Sequence, residues 1–376
     1  MLSKPTVVDL FCGCGGISWG LAQAGFDILA GVDFWQPALK TFALNHRKTL
    51  PIFADLTELT PLELLKRLSL ERGMIDCLVG GPPCQGFSKN VPASYRFLAD
   101  PRNQLMKTFL DFVKFLYPRT VIIENVAEIY NAFDGKIRHE IVDSLQNLGY
   151  TVAVKNILAA DYGVPQKRRR CFFLASRTGT APYFPDATFA EYSSHTLFQQ
   201  IFPYISAWAA ISDLPPLANG EGFFAMPYLQ PPQNDYQSLM RYQSAEIYDH
   251  ITRRLNPKQF ARVSSLRAGE GMQDLPEHLR PKSGYSGAYG RLDFDQPAPT
   301  ITRWVFHPGS GRFCHPQQDR LLTIREVARL QSFSDIFHFT GTYIQKSHQL
   351  GNAVPPLVAK ILGEAIKVCL GLPSIN

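Results

Sequence analysis

The sequence predicts an α/β protein built on a mostly parallel, doubly wound sheet, with a smaller, irregular domain attached. Three observations carry this expectation. Short apolar runs recur through the first half of the chain with helical patterns between them, the rhythm of βαβ crossovers. Two of those runs pass straight into turns rich in glycine or proline, where open α/β sheets place their ligands. Beyond about residue 178 the periodicity weakens and Pro, Tyr, Gln and Asn rise, as in Pro215-Pro216 and Pro231-Pro232. The 376 residues, 45% hydrophobic and 19% charged, exclude a disordered chain and suffice for two domains.

The elements follow in order. Residues 6–11 (TVVDLF) read as a strand entering the turn Gly13-Cys14-Gly15-Gly16, with a helix through Trp19, Leu21 and Ala24 that stops at Gly25. Residues 28–33 and 52–55 are the second and third strands, and Asp76-Cys77-Leu78-Val79 is the fourth. The fifth is 120–124, and helices fill 103–116 and 135–148. Residues 150–158 and 171–176 read as a further pair of strands, with Gln166-Lys167-Arg168-Arg169-Arg170 between them. Regular structure returns at 321–330, an amphipathic helix with Thr323 as N-cap and Glu326 completing a capping box. A last apolar helix, 356–370, is expected to pack back on the first domain.

The formal net charge of +6 permits a polyanionic partner without requiring one. The seven cysteines are scattered, show no disulfide framework, and fit thiols of a reducing cytoplasm. Cys12-Gly13-Cys14 is not a CxxC zinc pair, and no metal is expected. Neither a signal peptide nor an apolar stretch able to span a bilayer is seen, so no membrane partner is expected.

The most telling segment is Gly80-Gly81-Pro82-Pro83-Cys84-Gln85-Gly86, directly after the fourth strand. Two prolines stiffen the approach to Cys84, and two glycines let a ligand come close to the backbone. Taken alone, the segment fits a nucleophilic thiol or a structural cysteine in a tight turn equally well.

Six motifs in order resemble the cytosine-5 DNA methyltransferase family: Asp9-Leu10-Phe11-Cys12-Gly13-Cys14-Gly15-Gly16, Gly81-Pro82-Pro83-Cys84-Gln85, Glu124-Asn125-Val126, Gln166-x-Arg168-x-Arg170, residues 320–335, and Gly351-Asn352-Ala353-Val354-Pro355-Pro356. Each is modest alone; their order is the signal. The resemblance covers about residues 5–178 and 288–370. It implies that residues 1–178 and 342–376 form an S-adenosylmethionine-binding catalytic domain and 179–341 a small target-recognition domain. The turn does not meet a full GxGxxG dinucleotide fingerprint, but its bare backbone suits an adenosyl ligand.

The implied cofactor contacts are Phe11, Gly13, Gly15, Asp33, Phe34, Asp55, Leu56, Pro82 and Asn352. Asp33 would take the ribose hydroxyls, although glutamate is commoner there; Phe34 would stack on adenine; Asp55 and Leu56 would flank its edge. For Asp33 and Asp55 the plain alternative is strand-end capping. The implied catalytic residues are Cys84, Glu124, Arg168 and Arg170. Cys84 would add to C6 of a flipped-out cytosine. Glu124, at the end of an apolar strand where burial favours its protonated form, would meet N3. One arginine would hold O2 or a phosphate, with Arg170 favoured for O2. Gln85, Ser88, Asn125 and Gln166 complete the implied substrate contacts. Residues 86–102 read as a closing loop or a plain surface loop. The arginines between 179 and 300, including Arg253 and Arg254, are candidates for base or phosphate contacts. Ser334, where the family often has proline, alters a turn but no catalytic role.

The implied activity is that of a DNA (cytosine-5-)-methyltransferase: a monomer acting on double-stranded DNA, using S-adenosylmethionine, paired with a restriction endonuclease, and cytoplasmic in a prokaryotic nucleoid. The alternatives are a tRNA cytosine-5 methyltransferase and a catalytically inactive DNA-binding relative.

Overall fold

The computed structural model describes residues 4–83, 104–192, 194–195, 200–284 and 286–373. Cys84, Gln85, Ser88 and the expected closing loop lie outside them. The chain forms two compact units. One comprises Met1–Leu158, Arg169–Asp186 and Pro356–Asn376; the other comprises Ala159–Arg168 and Ala187–Pro355.

The first unit holds a seven-stranded sheet. In chain order its elements are β1 (Thr6–Leu10), α1 (Gly16–Gln23), β2 (Asp27–Asp33), α2 (Gln36–Asn45), β3 (Leu50–Phe53), α3 (Pro61–Leu68), β4 (Cys77–Gly80), α4 (Gln104–Leu116), β5 (Thr120–Val126), α5 (Lys136–Gln146) and β6 (Thr151–Leu158). The second unit contributes β7 (Gln166–Lys167) before the first unit resumes with β8 (Arg169–Ser176). The sheet order is β3-β2-β1-β4-β5-β8-β6. β1 to β5 run parallel, and β8 returns antiparallel between β5 and β6. The order reverses between β1 and β4, so the turns that follow these two strands open onto the same crevice, the ligand position of doubly wound sheets.

The continuous apolar strands are explained by burial on both faces: Val8, Leu10, Val32, Leu78, Val121 and Ile123 sit in one core with Phe109, Phe112 and Ile141 from the helices, and Val7, Val79 and Ile122, which point to the other face, are buried too. α1 is covered by α11 (Pro356–Cys369), as the apolar character of that helix predicts.

Besides β7, the strands of the second unit among the described residues are β9 (Phe189–Ala190), β10 (Ser194–His195), β11 (Gln200–Pro203), β12 (Gly222–Met226), β13 (Ile247–Ile251) and β14 (Ala298–Pro299), all short. Its helices are α6 (Ala207–Ile211), α7 (Asp235–Arg241), α8 (Pro257–Ser264), α9 (Ile324–Leu330) and α10 (Tyr343–Asn352). The capping box at Thr323 and Glu326 forms in both directions. The amphipathic reading of this segment does not hold: every residue of α9 is buried. Its charged residues are paired instead of solvated. Glu326 takes a two-pronged contact from Arg320, at 2.9 and 2.7 Å. Arg329 lies between Asp213 and Asp335, and Arg325 donates to the carbonyls of Tyr248, Ser334 and Phe337. Ser334 thus holds the turn after α9 through its carbonyl, which a proline there would also offer.

Candidate active site

The turn after β1 is strained in a way that bares its backbone. Phe11 is left-handed at φ 64°, a conformation uncommon for a bulky residue and concentrated at functional sites. Gly13 (φ 55°) and Gly15 (φ 96°) follow in the same region. A side chain at 13 would meet no atom of the described residues within 4 Å, so they leave the space above it open. At Gly15 the opposite holds: a Cβ would come within 2.8 Å of His46 Nε2 and 2.9 Å of the Phe42 ring. The turn is therefore propped from behind and open in front, a form that fits an adenosyl ligand approaching the backbone.

Asp33, at the end of β2, anchors the turn. Gly13 N donates to one of its oxygens at 2.8 Å, and Trp35 N to the other at 2.7 Å. Burial raises its pKa, and those backbone donors oppose the rise. The Phe34 N–H is a third backbone donor to this carboxylate, which leaves one of its four lone-pair sites for a ligand hydroxyl. Phe34 beside it leaves 62% of its surface exposed, free to stack. Asp55 is exposed and caps its own turn, accepting from Thr57 N and Oγ1 at 2.8 Å each, which lowers its pKa. Leu56 buries its side chain in the sheet core, leaving only its backbone for a ligand.

Two groups of this region escaped the sequence reading. Asp9 is buried in β1; Ser18 Oγ donates to its Oδ2 at 2.6 Å, while Oδ1 has no hydrogen-bond partner among the described residues. Burial pushes its pKa up to about 7, and the Ser18 bond only partly offsets that. An acid inside the apolar run TVVDLF was the available signal. His46 stacks on Phe42 with ring centroids 4.6 Å apart and meets Trp19 edge-on at 5.7 Å. Burial pulls its pKa down to about 4, so a neutral imidazole backs the turn. Nothing in the sequence marks that role.

A second constellation forms at the ends of β4 and β5. The antiparallel register pairs Val126 with Arg170 and Glu124 with Phe172, which sets Glu124 and Arg170 diagonally on one face. Arg170 Nε lies 3.0 Å from Glu124 Oε1. A guanidinium thus shares the site of the carboxyl that ends this apolar strand. Glu124 also faces the proline turn, since a Cβ on Gly81 would be 3.1 Å from its Oε2. Asn125, buried, donates to Pro82 O at 3.1 Å. Its role in this structure is to hold the turn that leads to Cys84, and Pro82 itself is buried.

In the second unit, Gln166 and Arg168 are buried and bonded to backbone and amide groups. Gln166 Nε2 donates to Leu330 O at 3.1 Å and to Gln331 Oε1 at 2.8 Å, and its oxygen accepts from Ile301 N at 2.8 Å. Arg168 donates to Ile301 O at 3.0 Å and Gly351 O at 3.1 Å. These side chains fasten three segments of their own unit. Asn352 is exposed at the end of α10.

The six described cysteines are all buried, and none is in a disulfide. Burial pushes the thiols of Cys14, Cys77, Cys171 and Cys314 up to about 12, and those of Cys12 and Cys369 upward as well. None of these is a thiolate near neutral pH. Among the described residues, no group of three or more His, Cys, Asp or Glu could hold a metal ion, and no helix is long and apolar enough to cross a membrane.

Comparison with known proteins agrees with this geometry. The family described as C-5 cytosine-specific DNA methylase matches residues 5–368. The type II methyltransferase M1.HphI of Haemophilus parahaemolyticus is 35% identical over 96% of this chain and 86% of its own length. The type II methyltransferase M.DdeI of Desulfomicrobium norvegicum is 33% identical over 96% of this chain and 88% of its own. Among solved structures, a putative DNA modification methyltransferase encoded within a prophage of E. coli superposes with a TM-score of 0.77 at 25% identity, covering 98% of this chain and 100% of that one.

Proposed function

The chain belongs to the C-5 cytosine-specific DNA methylase family, and on that premise we propose that it methylates C5 of a flipped-out cytosine within a specific double-stranded DNA sequence, with Cys84 as nucleophile. The observation that carries the assignment of roles is the convergence of Glu124, Arg170 and the Asn125-held proline turn at the ends of β4 and β5.

Cytosine C5 is a weak nucleophile. Addition of the Cys84 thiolate to C6 breaks the C5–C6 π bond and makes C5 enamine-like. N3 and O2 are neighbours on the pyrimidine ring, and Glu124 and Arg170 are neighbours on the sheet. Glu124 meets N3 and Arg170 meets O2, where negative charge gathers during the addition. S-adenosylmethionine supplies the electrophilic methyl group when bound. Phe11, Gly13, Gly15, Asp33, Phe34, Asp55, Leu56, Pro82 and Asn352 are its proposed contacts, and the open space over Gly13 beside exposed Phe34 supports that choice. After transfer, H5 leaves as a proton, the S–C6 bond breaks and the ring double bond returns. Gln85 and Ser88 contact the substrate. Asn125, Gln166 and Arg168 act through the backbone they hold. Extrusion of the base is offset by DNA contacts, at a cost of about a few kcal/mol.

Residues 179–341 carry target recognition. The enzyme acts as a monomer in a prokaryotic cytoplasm, and its methylation protects DNA from a cognate restriction endonuclease; the type II names of its relatives support that pairing.

The test is a methyl map. The pure protein, incubated with unmethylated genomic DNA and S-adenosylmethionine, is expected to place 5-methylcytosine in one short motif only. Cys84→Ala is expected to abolish methylation while leaving cofactor affinity unchanged. Absence of 5-methylcytosine from every DNA tested would overturn the reading; a fully active Cys84→Ala would overturn the mechanism.

A further inference from the structure

Of the four tryptophans, Trp304 is the one exposed, with 48% of its surface open. It is not a loose surface residue. Trp304 N donates to Thr302 Oγ1 at 3.3 Å, and its carbonyl accepts from His307 N at 2.9 Å and Ser310 Oγ at 2.6 Å. The indole leans on Phe306 at 5.6 Å and on the edge of His348 at 5.9 Å. The segment carrying it is fixed from below: a Cβ on Gly351 would come within 2.2 Å of Arg303 N, and Arg168 ties Ile301 to Gly351 through their carbonyls.

The charge around this ring has one sign. The Arg303 guanidinium lies 5.3 Å from the indole centroid, and that of Arg253 lies 5.5 Å from the Phe306 ring while donating to Phe306 O at 3.0 Å. Both arginines are exposed, and among the described residues neither forms an ion pair. Burial and then the Arg303 charge hold the His348 imidazole below its usual pKa, a sign of the local positive field. A rigid, half-open indole flanked by two uncompensated guanidinium groups matches a nucleotide: an aromatic face for the sugar or base, and fixed cations for the flanking phosphates.

We propose that Trp304, with Arg303 and Arg253, is a DNA contact site that grips one nucleotide of the substrate duplex. The proposal rests on the methyltransferase reading above and adds a binding site to it.

Tryptophan emission of the full chain, titrated with a short synthetic duplex carrying the mapped motif at several salt concentrations, tests this. Wild type is expected to be quenched on binding. Trp304→Phe, which keeps a ring, is expected to lose most of the quench and bind within about threefold of wild type, and Trp304→Ala to bind roughly tenfold more weakly. Arg303→Ala and Arg253→Ala are each expected to reduce the slope of log K against log salt by about 0.9. Affinity for S-adenosylmethionine, a readout of fold, is expected to stay unchanged in all four variants. If wild type binds and methylates the duplex while Trp304→Ala binds equally well and both salt slopes are unaltered, the contact site is wrong and the enzyme reading stands. If wild type binds no DNA, both fall.

Discussion

Arg170 and Glu124 hold each other 3.0 Å apart, so each sets the direction of the other. Arg170→Ala is expected to lower the single-turnover methylation rate by about 10²-fold or more, the usual loss when one donor to a developing charge is removed. Cofactor affinity should be unaffected, and a rate within a few-fold of wild type would remove Arg170 from the reaction. Asp9 makes a different prediction. Its folded-state pKa is raised from 3.8 to about 7, so the folded protein binds this proton more tightly than the unfolded chain does. Its contribution to stability is full below the unfolded value and is lost as pH rises through the folded one. Wild-type stability should therefore fall between those two pKa values, with a slope of up to about 1.4 kcal/mol per pH unit from this group. Asp9→Asn should flatten that part of the curve, as measured by urea unfolding across pH. Equal slopes in both proteins would show that Asp9 does not hold the proton.

At the scale of elements, α9 illustrates what a sequence can and cannot disclose. Its start is legible because Thr323 and Glu326 sit three apart and a capping box needs nothing more. Its environment is not, because Arg329 finds its partners in Asp213 and Asp335, one of them far away in the chain. The alternation of apolar and charged residues looks like a helix with a wet face, whereas the charges are buried and paired, Glu326 with nearby Arg320 and Arg329 with nearby Asp335 and distant Asp213. The strands of the first unit were legible for the converse reason: a doubly covered parallel strand is apolar throughout, and the chain repeats that pattern. Within the site, the turn residues 11–15 and the Glu124 and Arg170 positions could be read from motif order. The roles of Asn125, Gln166 and Arg168 could not, since only coordinates reveal that their polar groups bind backbone. Arg329→Leu is expected to lower unfolding free energy by about 3 kcal/mol, because two buried carboxylates would lose their main counter-charge and keep only the longer contacts of Asp213 to Arg241, at 3.3 Å, and of Asp335 to Arg325, at 3.6 Å. A urea midpoint close to that of wild type would show that water reaches these acids.

At the scale of the whole molecule, neither unit is one continuous stretch of chain. The first unit is begun by its sheet and finished by α11, whose backbone at Pro356 lies so near α1 that a Cβ on Gly20 would come within 2.2 Å of it. Between α1 and α11 the chain runs through all of the second unit. On the ribosome, the apolar flank of α1 emerges early and waits until the final helix has been translated. Through that interval the nascent protein carries an uncovered greasy surface, the kind of exposure that invites aggregation. Cells making this protein must shield that surface, or translate residues 187–355 quickly enough that it is soon covered.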